Sequence, residues 1–284
     1  MNTAVTGTAV GPMVIAAVDQ FDAHPLVRDD LAARILPVSG RLAVAAARWR
    51  PVRNALFAAT EKKIPGLWAS MLCRKRYIDD RLDATEARTA VVLGAGFDTR
   101  GCGNWDGRVF EVDLPANVEA KHDRLRALFG SVPERLTLVP VDFERQSLAD
   151  SLAEKGYEGD GPVFFVWEAV TQYLTEDAVR ATFDFLAQAP AGSELVFTFL
   201  RKDFLDGEAL FGAEAAHREF VTKRRMWKFG LVPDDVAPFV AAYGWAQTEQ
   251  LGPREFTARY LEPAARRLPV SEIERTAHCV KLSS

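Results

Sequence analysis

Cysteine is nearly absent. Cys73, Cys102 and Cys279 form no C-x-x-C pair, and an odd count at wide spacing excludes a disulfide framework, so a reducing cytosol is the expected compartment. A surplus of one charge is also missing: the formal net charge is -4 and Lys and Arg are scattered among acids. That distribution argues against a nucleic-acid surface and for a small-molecule partner. Long hydrophobic runs are lacking too. The opening MNTAVTGTAVGPMVIAAVDQF carries no positive n-region, and Asp19 and Gln20 break its apolar stretch well short of the roughly 20 residues that a membrane span needs. The chain therefore reads as cytoplasmic, with no membrane partner.

At 284 residues and 48% hydrophobic, the chain suits one large domain or a core with a cap. From Met13 to about Leu82, apolar residues recur every three or four positions, punctuated by Pro25, Pro37, Pro51 and Pro65, which predicts a set of N-terminal helices. After Thr89, short apolar runs alternate with helical stretches. The expected strands are Ala90–Gly94, Arg108–Asp113, Leu136–Val141, Val163–Trp167 and Glu194–Leu200, and PANVEAKHDRLRALF, FERQSLADSLAEK and TEDAVRATFDFLAQA lie between them. Strict alternation implies right-handed crossovers and an α/β fold with a doubly wound, mostly parallel sheet. Beyond Arg201 follow a mostly helical, aromatic-bearing insert and two closing strands with a helical connection. The expected organisation is one domain: a helical cap to residue 88, a core over 89–200, an insert over 201–243, and closing strands over 244–284.

The stretch VVLGAGFDTR, residues 91–100, has the profile of a buried strand turning sharply into the next element. A dinucleotide fingerprint needs a third glycine where Thr99 stands, so the turn alone identifies no ligand and could be an ordinary tight turn. The second strand ends in FEVDLP, placing Asp113 19 residues after Gly94, close to the roughly 20 at which an acid takes the hydroxyls of a ribose. No Lys-Ser or Lys-Thr follows, so the loop is not a P-loop. An adenosine ligand without phosphates suggests S-adenosylmethionine. Its sulfonium and ammonium call for carboxylates and its one carboxylate for a guanidinium. Asp142 follows the third strand and Glu168 the fourth, at the carboxyl ends where ligands of such sheets lie. Arg74, in LCRKRYIDD ahead of the first strand, is the candidate guanidinium.

These residues bring a resemblance with them. The stretches CRKRYIDDRL, VVLGAGFDTR, VFEVDLPANVEAKHDRL, VPVDFE and VWEAVTQYLTEDAV resemble the leucine carboxyl methyltransferase family of class I S-adenosylmethionine-dependent methyltransferases, including its bacterial polyketide and secondary-metabolite members. The resemblance implies that Arg74 holds the methionine carboxylate and that Gly94, Ala95 and Gly96 pass beneath the cofactor. It further implies that Asp113, with Leu114 beside it, takes the ribose, that Asp142 and Phe143 bracket the adenine, and that Glu168 lies near the ammonium. The family often has Arg-Thr where this chain has Arg74 and Lys75, so the choice among Arg74, Lys75 and Arg76 stays open.

Methyl transfer from a sulfonium needs the nucleophile about 3 Å from the methyl carbon, opposite the sulfur. A carboxylate acceptor, with a pKa near 4, is already ionised and requires no base, whereas a phenol or alcohol would require one. Tyr173 and, in the insert, His217 are the candidate catalytic residues; no metal is expected. The cations available to orient an acid are Arg201, Lys202, Lys223, Arg224, Arg225 and arginines of the N-terminal helices. Phe204, Phe211, Phe220, Trp227 and Phe229 suggest an apolar acceptor pocket. The expected activity is methyl-ester formation on a small or polyketide-like carboxylic acid. The alternatives are methylation of a hydroxyl, an NAD(P)-dependent reductase, for which no clear Tyr-x-x-x-Lys pair is present, and a non-catalytic protein on the same scaffold.

Overall fold

The computed structural model describes residues 10–103 and 105–283; the first nine residues, where part of the leader reading falls, lie outside them. At its centre is an eight-stranded sheet: β1 (Thr89–Leu93), β2 (Arg108–Asp113), β3 (Leu136–Pro140), β4 (Val163–Trp167), β5 (Glu194–Arg201), β6 (Gly230–Leu231), β7 (Trp245–Leu251) and β8 (Glu274–Lys281). Their order is β3-β2-β1-β4-β5-β8-β7, with β6 added beside β5. The sheet is parallel through β5, while β8 runs antiparallel to both β5 and β7. The two innermost strands, TAVVL and VFFVW, are buried almost throughout, because helices cover both faces of a parallel sheet and leave no polar side.

The prolines act where their geometry allows. Pro37 stands immediately before the helix Val38–Ala46, and Pro51 occupies the first turn of Arg50–Lys63, where a missing N–H costs nothing. Pro65 and Gly66, the latter at φ +78°, separate that helix from Leu67–Ala84. In the core, Pro115 opens the helix Pro115–Phe129 and left-handed Gly130 closes it. Thr175 caps the helix Glu176–Leu186 by accepting from Ala178 N at 3.3 Å.

Strand order reverses between β1 and its two parallel neighbours β2 and β4, and it is at such a switch point that the carboxyl ends splay into a crevice. The insert is built of short helical segments, as expected, interrupted by loops and one short strand. After a short helix at Lys202–Leu205 it passes through a wide π-type turn at His217–Lys223 and then adds β6, parallel to β5. Two residues of strand carry no readable alternation, so β6 leaves no sequence signal. Among the described residues, no helix is long and apolar enough to cross a membrane.

Candidate active site

A cavity of about 780 Å³ opens over the carboxyl ends of β1, β2 and β4. The glycine turn forms its floor. Gly94 N and Ala95 N both donate to Val112 O, at 2.7 and 3.0 Å, tying the end of β1 to β2. Gly94 has φ +74° and Gly96 φ +50°, a region that glycine enters without strain. A Cβ on Gly94 would stand 2.2 Å from Val170 Cγ2, so the residue is small because another loop crosses it.

Asp113, at the end of β2, is almost entirely buried. One carboxylate oxygen accepts from Gly96 N at 2.5 Å, and the other accepts from Leu114 N at 2.6 Å and Asn117 Nδ2 at 2.7 Å. Burial raises its pKa against these donors, Asn117 the foremost. The acid thus shapes the turn as well as facing the cavity. Asp142 and Phe143, after β3, also line it; Asp142 Oδ1 accepts from Glu144 N at 3.1 Å, so this acid caps its own turn.

Glu168, after β4, meets two guanidinium groups. Arg74 Nε lies 2.8 Å from one of its oxygens and Arg100 Nη1 3.1 Å from the other. Burial works to raise its pKa, but Arg74 and Arg100 outweigh that and hold it below the usual carboxylate range. Arg74 reaches on to Glu274 at the start of β8, and Arg100 to Asp98 and, at 2.6 Å, Asp79. Lys75 joins through Asp29 at 3.3 Å and Asp79 at 3.5 Å. In this network five carboxylates face three cations, leaving an excess of negative charge beside the glycine turn. Asp98 is held below its usual range despite burial, chiefly by Arg100 and Lys75.

Of the three adjacent basic residues on the helix Leu67–Ala84, Arg74 and Lys75 line the cavity. Arg76 turns away to Asp80 at 2.6 Å. Gly94, Ala95, Gly96, Asp113, Leu114, Asp142, Phe143, Glu168 and Tyr173 also stand on the cavity wall. His217 does not. Its Nε2 lies 3.2 Å from Leu205 O and its ring packs edge-on against Phe204 at 5.5 Å, because the π-type turn points it back into the insert rather than at the cavity. The insert aromatics divide in the same way. Phe220 and Trp227 line the cavity, whereas Phe204 and Phe229 are core residues and Phe211 lies under Arg201 at 4.6 Å. Arg201 pairs with Asp203 and Glu272, Lys202 with Asp206 and Arg224 with Glu219; of the insert cations proposed to orient an acid, only Arg225 lines the cavity.

Several residues of the site were not singled out by sequence reasoning. Arg100 and Asp98 sit within the quoted glycine stretch, where an acid two residues before an arginine was the available signal. Thr198 was a polar residue in an otherwise apolar strand: its Oγ1 accepts from Ala169 N at 2.8 Å and its carbonyl accepts from Thr171 Oγ1 at 2.7 Å. Those two bonds fix the loop after β4, in which Ala169 is held at φ +57°. Behind the turn, Lys121 pairs with Glu111, both buried, and burial pushes Glu111 up to about 7 against the opposing effect of Lys121. Glu274 gave no signal, being 200 residues from Arg74.

The far end of the cavity is apolar. Ile64, Leu67 and Met71 from the N-terminal helices face Leu200, Phe220, Met226, Trp227 and Ile273. Trp227 stacks on Phe220 with ring centres 4.6 Å apart.

The comparisons agree with this architecture. A protein of Streptomyces avermitilis, provisionally named an S-adenosyl-L-methionine-dependent methyltransferase, is 32% identical over 91% of this chain and 89% of its own. One of Frankia alni with the same provisional name is 30% identical over 91% and 88%. Among solved structures, a provisionally named methyltransferase from Thermobifida fusca superposes with a TM-score of 0.57 at 16% identity, covering 96% of this chain and 95% of that one. A DUF574 family protein of Streptomyces avermitilis gives 0.56 at 17%, covering 94% and 96%. These two likenesses show the class I methyltransferase fold. The leucine carboxyl methyltransferase model matches residues 9–187, the stretch that holds the glycine turn, Asp113, Glu168 and the paired arginines, and the chain belongs to the leucine carboxyl methyltransferase family.

Proposed function

We propose that the protein is an S-adenosylmethionine-dependent O-methyltransferase that forms methyl esters on a carboxylic acid with an apolar body. The observation that carries this reading is the continuity of two unlike chambers in one cavity: a charged end at the strand switch point, and an apolar end walled by the N-terminal helices and the insert. Its volume falls within the range of small-molecule sites and leaves room for two ligands end to end. The relatives' provisional names point to the same cofactor.

The residues at the charged end fit that cofactor. The excess of carboxylates around Glu168 and Asp98 favours a ligand bearing sulfonium and ammonium charges over a phosphate ester. Arg74 would hold the methionine carboxylate as a fixed positive charge, with Arg100 next to it on Glu168. Gly94, Ala95 and Gly96 let the backbone approach closely, Asp113 and Leu114 address the ribose, and Asp142 and Phe143 flank the adenine. When bound, S-adenosylmethionine supplies a methyl group on a positively charged sulfur, poised for displacement.

The protein's part is then positioning. The apolar walls would exclude water and hold an acceptor oxygen toward the charged end, where the methyl donor would lie. A carboxylate oxygen brings its own charge to this step, and no proton has to move. No histidine lines the cavity among the described residues, in keeping with a reaction that needs no imidazole base. Tyr173, in the turn Thr171–Tyr173 on the cavity wall, is the residue we assign to contact the acceptor. The test is to incubate the protein with methyl-labelled S-adenosylmethionine and a panel of aryl- and alkyl-carboxylic acids, then treat the products with mild base. An ester releases its label as methanol; a base-stable product means hydroxyl methylation and overturns the ester assignment.

A further inference from the structure

Among the described residues six cations line the cavity, and five of them are already engaged. Arg74, Lys75 and Arg100 are held in the acidic network, Arg145 lies 3.7 Å from Asp142, and Lys228 lies 3.5 Å from Glu144. The sixth, Arg225, has no carboxylate in ion-pair range and no side-chain hydrogen bond among the described residues. It belongs to the apolar chamber, next to Met226 and Trp227.

Its backbone is unusual as well. Met226 N and Trp227 N both donate to Phe220 O, at 2.8 and 3.3 Å, and Arg224 N donates to Glu219 O at 3.0 Å. Closing the chain back on Phe220 in this way puts Arg225 at φ +49°. Glycine or asparagine suits such a position, and a long side chain there is strained. An exposed guanidinium kept on a strained residue at the edge of an apolar chamber, solvated rather than paired, is available to an anion. The same wall holds further unused polar atoms: Trp227 Nε1 and Gln172 Oε1 are buried without a partner among the described residues, and Lys228 N donates to Gln172 O at 2.7 Å to hold the two segments together.

We infer that Arg225 is the specificity-determining residue of the acceptor chamber, anchoring a carboxylate on an otherwise apolar acceptor. The inference rests on the methyltransferase reading for the place of the acceptor, but not on which acceptor oxygen takes the methyl group. The exposed guanidinium approaches from the rim, while the acceptor's body packs between Phe220, Trp227, Met71 and Ile273.

The probes are 4-phenylbutyrate and its neutral amide, titrated calorimetrically into protein saturated with S-adenosylhomocysteine. The intact protein is expected to bind the acid about fivefold more tightly than the amide, as one charge pair at a solvent-exposed rim allows. Arg225→Gly relieves the left-handed backbone, so it folds at least as well as the parent, and it is expected to abolish the preference while leaving S-adenosylhomocysteine affinity within about twofold. Arg225→Lys keeps the charge and is expected to keep most of the preference. Equal binding of the two probes by the intact protein, no binding of either, or an undiminished preference in Arg225→Gly overturns the inference. If the acid panel yields no base-labile methyl yet the preference still depends on Arg225, the ester reading fails and the anchor stands. If methanol is released but Arg225→Gly changes neither preference nor KM, the anchor fails and the ester reading stands.

Discussion

The two ends of the cavity are built on opposite principles. At the charged end, side chains from strand ends and adjoining turns satisfy one another before any ligand arrives: Asp113 holds Gly96 and Asn117, and Glu168 holds Arg74 and Arg100. At the apolar end, the walls come from segments distant in sequence, and Arg225 and the indole N–H of Trp227 have no partners among the described residues. Recognition of a fixed cofactor rewards a preorganised polar shell, since reorganisation then costs nothing at binding. A chamber that selects among acceptors keeps its polar groups in reserve.

The largest effect that would sharpen this contrast is at Arg74. Arg74→Ala leaves the partly buried Glu274 without its partner and Glu168 with Arg100 alone, and is expected to lower stability by about 3 kcal/mol, read from urea unfolding, together with most of the affinity for S-adenosylhomocysteine. Next is Asp113→Ala, which removes three accepted hydrogen bonds and releases the glycine turn; calorimetry is expected to show about a hundredfold weaker cofactor binding, near 3 kcal/mol. Gly94→Ala combines a positive φ with the clash on Val170 and is expected to cost about 1–3 kcal/mol of stability. Val170→Ala added to it should recover the part owed to the clash, and no recovery would assign the whole loss to the backbone.

Trp227→Ala tests the other end. It is expected to raise the acceptor KM by about tenfold through lost apolar contact, with cofactor affinity unchanged; a matching fall in cofactor affinity would show that the two chambers are one. The smallest effect lies outside both. Burial favours protonating Glu194, but His278, Thr85 and Arg81 hold it down at about 2, below its ordinary 4.5. A depressed acid stabilises the fold above the unfolded-state value and loses that contribution as pH falls through the folded one. The stability advantage of the parent over Glu194→Gln is therefore expected to be full above about pH 4.5 and to vanish toward pH 2, measured by thermal unfolding across that range, with cofactor binding at neutral pH unaffected.

Much of the charged end could be read directly from the chain. GAGFDTR after an apolar run, an acid at the end of FEVD, and Glu168 after VFFVW are local patterns, and the spacing of strand and turn fixes where they meet. Within CRKRY the sequence left three candidates open, and only the packed helix turned Arg74 and Lys75 inward and Arg76 out to Asp80. His217 shows the converse: its place in an aromatic insert suggested a catalytic imidazole, but a π-type turn, which no periodicity announces, turns it against Phe204 and away from the cavity.

What the amino-acid order determined by itself is the sheet, its crossovers and the acids at the strand ends, because alternation and turn chemistry act over a few residues. What only the tertiary structure decided is which charges cancel and which remain. Glu274 reaches Arg74 across 200 residues and Ile64 meets Ile273 in one wall. Such pairings depend on loop closure and packing of the whole chain, and those forces leave no mark in local sequence.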